Sequence, residues 1–125
     1  FNTPPVFSIF SVLMNLRHIK SEGLESIEKK NSEKSKLIYD EIDRNILFRS
    51  PVNKGDRSTM NVPFIFNDNH HKDEKFLTFC EKRGLRTLKG HRSVGGFRAS
   101  IYNAMPVSGV TALIAAMMEF ERLYS

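Results

Sequence analysis

The sequence holds a single cysteine, so no internal disulfide can form and no Cys-rich zinc spacing exists. It has no long hydrophobic run: the longest near the C-terminus, Gly109 to Met118, falls well short of the roughly 20 residues that span a bilayer. No charged stretch precedes an apolar core at the start, which argues against a secretory signal. No Ser-His-Asp order, paired-carboxylate pattern or phosphate-binding Gly-Lys loop can be assembled, and there is no internal repeat or low-complexity segment. These absences predict a cytoplasmic globular domain with no metal and no membrane partner. One further absence is positional: the chain starts at Phe1 rather than Met and runs almost at once into an apolar stretch, so it reads as a piece of something longer.

What is present suits an ordinary globular domain: 125 residues, 40% apolar and 26% charged. The net charge is +5, and its placement says more than its size. Residues 1–81 balance twelve Lys/Arg against twelve Asp/Glu. Between Lys82 and Met118, by contrast, Lys82, Arg83, Arg86, Lys89, Arg92 and Arg98 meet no acidic residue. Uncompensated charge gathered in one segment expects an anion there: nucleic acid, phosphate or carboxylate.

Periodicity orders the elements. Thr3-Pro4-Pro5 reads as a helix start, with threonine as N-cap and proline in the first turn. The helix through Ile19 is apolar around most of its circumference, from Val6, Phe7, Ile9, Phe10, Val12, Leu13, Leu16 and Ile19. It calls for cover from a missing domain or a second subunit. After Gly23 a second helix spans 24–43, with Leu24, Ile27, Leu37, Ile38 and Ile42 inward and Glu25 and Lys29 paired. Its polar middle, Glu28 to Lys36, predicts an exposed helix bridging two regions. A short strand at Ile46-Leu47-Phe48 and a loop from Pro51 to Ser58 follow. Met60 to Phe66 is the clearest strand, with Val62, Phe64 and Phe66 on one face and Pro63 arguing for an edge or a bulge. Lys72 to Arg83 reads as an amphipathic helix with Phe76, Leu77, Phe79 and Cys80 inward and Gly84 at C′. Strands at 85–88 and 97–102 precede a last helix opened by Pro106, with Val110, Leu113, Ile114, Met117 and Phe120 on its inner face. The fold class is α/β, with a small, mostly antiparallel sheet and helices packed on it.

The segment Gly90-His91-Arg92-Ser93-Val94-Gly95-Gly96-Phe97-Arg98 carries the most chemistry. Its glycines let the backbone turn tightly, and two guanidiniums six residues apart can hold two separated anionic groups. A small ligand with a phosphate and a carboxylate suits it. The alternatives are a basic surface loop whose arginines pair with carboxylates elsewhere, and a non-catalytic module binding anions or nucleic acid through Lys82–Arg98. The nucleic-acid reading is the weaker, because Phe97 is the only aromatic there. At Asn2-Thr3-Pro4-Pro5 the prolines remove backbone donors, and Asn2 and Thr3 can replace them toward a phosphate at the helix start; a plain N-cap is the alternative. His70-His71, after Asn67-Asp68-Asn69, lacks a third metal ligand and reads as a solvated turn. His18 reads as a packing or interface residue, and Cys80 as an inert buried thiol.

Four segments together resemble phosphoserine aminotransferases, a family of pyridoxal-phosphate-dependent enzymes of fold type I. They are Asn2-Thr3-Pro4-Pro5, the stretch from Arg57 to Phe64, the stretch from Gly90 to Pro106, and Glu119-Phe120-Glu121. The resemblance covers the whole chain but only the C-terminal third or so of such an enzyme. It implies the end of a large domain with an interface helix at 1–22 and a small C-terminal domain at 23–125, entered through a long interdomain helix. It implies that Arg98 clamps a substrate α-carboxylate. His91 and Arg92 would contact the substrate phosphate in the neighbouring subunit's site, and Asn2 and Thr3 would bind the cofactor phosphate across a homodimer interface. Ser93 and Phe97 stand where family members often carry other uncharged residues. The family's Schiff-base lysine, the aspartate that pairs with the pyridine nitrogen and the aromatic that stacks on the ring all lie upstream of Asn2. Lys89 is no substitute, so no catalytic residue falls in this segment and the segment alone is expected to be inactive. The implied activity of the parent is amino transfer between glutamate and 3-phosphohydroxypyruvate in serine biosynthesis, and in pyridoxine biosynthesis in some bacteria.

Overall fold

The structure, a computed structural model, describes residues 2–68, 72–92 and 95–125. The readings of His70-His71 and of Ser93 and Val94 lie outside the described residues.

The chain divides into two compact units, Phe1–Lys30 and Asn31–Ser125. The first contains helix α1, Val6–Glu22. Its N-cap is Pro5, with no side-chain cap. This corrects the expected Thr3 cap: two consecutive prolines delay the helix until Val6. No residue of α1 is buried, and Phe7, Ile9, Phe10, Val12 and Leu16 all stand well exposed. Helix α2, Leu24–Arg44, begins in this unit, after Gly23. Lys30 pairs with Glu22 at 2.9 Å, and among the described residues no ion pair joins Glu25 to Lys29.

The second unit begins within α2 and continues through β1 (Phe48–Arg49), a 3₁₀ turn (Lys54–Asp56) and β2 (Asn61–Phe66). Helix α3 (Asp73–Glu81), β3 (Phe97–Ser100) and α4 (Val107–Tyr124) complete it. The sheet order is β1-β2-β3, antiparallel throughout. This is the expected α/β arrangement. Alternation along β2 buries Val62, Phe64 and Phe66. These rings meet Phe48, Phe76, Phe97 and Phe120 in one core, with Phe48 stacked on Phe66 at 4.8 Å and Phe76 edge-on to Phe120 at 5.0 Å. Phe76 and Cys80 bury the inner stripe of α3; Val110, Leu113, Met117 and Phe120 bury that of α4. Leu24 and Leu37, expected inside, are exposed.

Two strand readings need correction. Residues 85–88 form no strand. Positive φ at Gly84 (78°) and Thr87 (60°) breaks the pleat, and the segment meets β3 only at its end, through the Leu88 carbonyl and the Lys89–Phe97 bridge. Gly84 instead closes α3. Its N–H donates to the Glu81 carbonyl and that of Leu85 to the Cys80 carbonyl, both at 3.0 Å, the bonds of a Schellman motif. Pro63 lies in the central strand, with no bulge, on a stretch whose β1-side flank is open. It faces Arg98, whose N–H turns away from β2 to the Leu88 carbonyl at 2.7 Å. The pair is therefore a non-hydrogen-bonded one, and the proline nitrogen points to the other flank. There β1 has already ended, since only Phe48 and Arg49 pair with Phe66 and Ile65. No ladder bond is lost.

The polar stretch of α2 also departs from expectation. Asn31, Lys34 and Ser35 are buried. Lys34, 2% exposed, donates to the carbonyls of Ile101 (3.1 Å), Tyr102 (2.8 Å) and Met105 (3.1 Å), and Asn31 Nδ2 to Asn103 Oδ1 (2.8 Å). Satisfied donors let these polar groups go inside.

Candidate anion-binding site

The segment from Gly84 to Arg98 builds the site. The Lys89–Phe97 bridge and two backbone bonds, Gly90 N–H to the Gly96 carbonyl and Gly95 N–H to the His91 carbonyl, each 2.8 Å, close a loop carrying His91 and Arg92. Gly96 is required by space and conformation together. A Cβ there would stand 2.5 Å from Ile65 Cγ2 and 2.8 Å from the Phe64 carbonyl, at φ of 60°. Close approach of this loop to β2 brings His91 beside β3. Alternation along β3 buries Phe97 and Ala99 and turns Arg98 outward.

His91, Arg92 and Arg98 are all exposed. His91 and Arg98 share a cleft of about 310 Å³, walled by Val52, Pro63 and Phe97. Arg92 does not line it. Arg98 also borders a second cavity of about 260 Å³, where Leu85, Val110 and Leu113 form apolar walls and Arg86 joins the rim. Beside Arg98 on the outer face, Asn61 donates to the Tyr102 hydroxyl (2.9 Å) and accepts from Ser100 (3.2 Å).

The arginines divide by partner. Arg57 forks onto Asp43 (2.6 and 2.8 Å) and lies over the Tyr39 ring. This pairing holds the Asp43 carboxyl below its ordinary range. Arg83, inside the basic segment, forks onto Glu119 (2.8 and 3.1 Å). Arg44 bridges Glu41 and Glu121. Arg92 and Arg98, in contrast, have no carboxylate partner among the described residues. A basic loop neutralised internally is thus contradicted for these two and holds only for Arg83.

Asn2 and Thr3 lie in the other unit, exposed, ahead of α1. Neither makes a hydrogen bond among the described residues, and the helix start carries no side-chain cap. Two free polar side chains beside the positive end of a helix fit a phosphate. Among the described residues no cluster of three His, Cys, Asp or Glu could hold a metal, and no helix is long and apolar enough to cross a membrane.

Lys34 and Thr87 escaped the sequence reading. The lysine's acceptors lie far along the chain, and burial without a carboxylate lowers its pKa. No local signal marks either residue.

An arginine-bearing strand, a glycine-closed loop and helices on a small antiparallel sheet define the class of protein. Residues 1–113 match the Aminotransferase class-V family, and the chain belongs to it. Its relatives are narrower still. It is 51% identical over 124 residues to the phosphoserine aminotransferase of Parabacteroides distasonis, covering 98% of this chain and 35% of that protein. Against the phosphoserine aminotransferase of Nitrosomonas europaea the identity is 50%, with 98% and 33% covered. Among solved structures, that of the phosphoserine aminotransferase from Bacillus circulans subsp. alkalophilus superposes with a TM-score of 0.93 at 41% identity, over 99% of this chain and 35% of that one. The pyridoxal-phosphate-bound phosphoserine aminotransferase from Trichomonas vaginalis gives 0.87 at 44%, over 94% and 34%. The chain spans about a third of the length of the relatives it matches. None of these comparisons supports a non-catalytic or nucleic-acid-binding module.

Proposed function

We propose that the protein represented by this chain is a pyridoxal-phosphate-dependent phosphoserine aminotransferase. It exchanges an amino group between glutamate and 3-phosphohydroxypyruvate, giving phosphoserine and 2-oxoglutarate. It serves serine biosynthesis, and pyridoxine biosynthesis in some bacteria, as a cytoplasmic homodimer. Residues 1–22 are read as the end of the large domain with an interface helix, and 23–125 as the small domain. The uncovered apolar surface of α1 supports cover by the rest of the large domain or by a second subunit.

The observation that carries the activity is the Arg98 guanidinium, lining a cleft and without a carboxylate partner among the described residues, in a chain where Arg44, Arg57 and Arg83 are each locked to carboxylates. A cation so placed binds an incoming carboxylate without first breaking an internal pair. Arg98 therefore orients the α-carboxylate common to both amino donors. His91 and Arg92 take the phosphate of phosphoserine in the neighbouring subunit's site. Asn2 and Thr3 hold the cofactor phosphate. The cofactor, when bound, supplies the electron sink; these side chains supply position and charge.

The test uses the full-length protein. A charged hydrogen-bonded pair contributes about 1.5–3 kcal/mol, so Arg98→Ala raises KM about 10- to 100-fold for glutamate and phosphoserine alike. Arg92→Ala raises it far more for phosphoserine than for glutamate. Equal losses for both substrates in Arg92→Ala remove its phosphate role; an unchanged KM in Arg98→Ala removes the carboxylate clamp.

A further inference from the structure

Lys34 is the most buried charged side chain described, and no carboxylate accompanies it. Its three N–H groups are spent on the carbonyls of Ile101, Tyr102 and Met105, the residues that turn the chain from β3 into α4. Asn31, one helical turn earlier on the same face of α2, grips Asn103 in that same turn. An ammonium taken from water without a counterion is an expensive way to fill space, and a leucine or methionine would fill it more simply. What the ammonium provides instead is three fixed acceptor positions within five residues. Those positions set where β3 ends. Arg98 lies three residues before Ile101 on that strand, and Tyr102 returns to Asn61, which also holds Ser100, the next residue along β3 on Arg98's face.

We propose that Lys34 is a positioning residue for the anion site: by clasping the 101–105 turn it fixes the end of β3 and thereby the aim of the Arg98 guanidinium. Lys34 touches no ligand and acts only through the strand. The inference rests on the reading of Arg98 as a carboxylate clamp. It also makes a claim about β3 that stands apart from that reading.

The experiment compares wild type, Lys34→Met, Arg98→Ala and the double variant in the full-length enzyme, well below their melting temperatures. Methionine keeps the length and removes the donors. The expected result is a KM for glutamate raised about 10-fold or more in Lys34→Met, because small misplacements of a binding group are costly. The double variant is expected to be no worse than Arg98→Ala alone, since the lysine acts through the arginine. Amide exchange at residues 98–105 rises in Lys34→Met. A fall in melting temperature with unchanged KM, or additive effects in the double variant, overturns the proposal. Unchanged amide exchange overturns it whatever Arg98 does. If Arg98→Ala leaves KM unaltered while exchange rises in Lys34→Met, the clamp reading fails and the strand-fixing claim survives. Should Lys34→Met not fold, Asn31→Ala loosens the same turn more gently, and the same KM and exchange readouts decide.

Discussion

Thr87 offers a direct measurement of stored backbone strain. Its φ of 60° puts a β-branched residue in the left-handed region, where an L-residue gives up about 1–2 kcal/mol. The side chain is exposed, and its one hydrogen bond runs to the neighbouring Arg86 carbonyl at 2.7 Å, so replacing it disturbs little else. Asparagine tolerates this conformation, and Thr87→Asn is expected to stabilise the chain by about 1 kcal/mol. For a domain of this size that is about 3–5 °C in Tm. Thr87→Gly relieves the same strain, but a more flexible unfolded chain takes back about 0.5–1 kcal/mol, so its gain is smaller. Thr87→Val keeps the β-branch and exchanges the hydroxyl for a methyl, and serves as the control. Urea unfolding and thermal melts followed by circular dichroism give the ranking Asn, then Gly, then Val and wild type together. If Val stabilises as much as Asn, the hydroxyl is the cause and the strain argument is wrong. Because Thr87 and Arg98 border the same cavity, relaxing this position in the full-length protein also asks whether the strain serves the site.

Two further outcomes follow from burial and charge. Asp43 titrates below its ordinary range because Arg57 holds its ionised form, so its contribution to stability is complete above about pH 4 and disappears as pH falls through the depressed folded value. The stability difference between wild type and Asp43→Asn, from urea titrations at several pH values, should be largest near neutrality and vanish toward pH 2; a pH-independent difference contradicts the pairing. Burial pushes the Cys80 thiol up to about 12, so a thiol reagent at pH 8 should label it only in denaturant. Fast labelling of the native chain would show that α3 opens far more readily than its packing implies.

Much of this architecture was legible in the residues. Helical spacing located α2, α3 and α4, an all-round apolar run after Pro5 located α1, and alternation in Asn61–Phe66 identified β2 and its buried face, because these signals are local. What escaped was set at a distance. Lys34 sits in a run with the composition of a solvated helix face, and only acceptors 67 to 71 positions away explain its burial. Residues 85–88 have the composition of a strand, yet left-handed backbone at Thr87 cancels it, and threonine gives no warning of that conformation. Pro63 was sound as a warning about hydrogen bonding and misplaced as to location, since an edge can begin midway along a central strand. In the basic segment, sequence could count the uncompensated cations but not see that Glu119 answers Arg83 while Arg98 has no carboxylate partner among the described residues.

The placement of Pro63 has a consequence for strand addition. On the flank where β1 stops, an arriving strand would meet a residue with no N–H to offer, and a rung would be missing. On the opposite flank, the Arg98 N–H is already taken by the Leu88 carbonyl. An arriving strand therefore finds a rung missing beside Pro63 and a donor already spent at Arg98, and neither of these two flanks offers it an unbroken ladder.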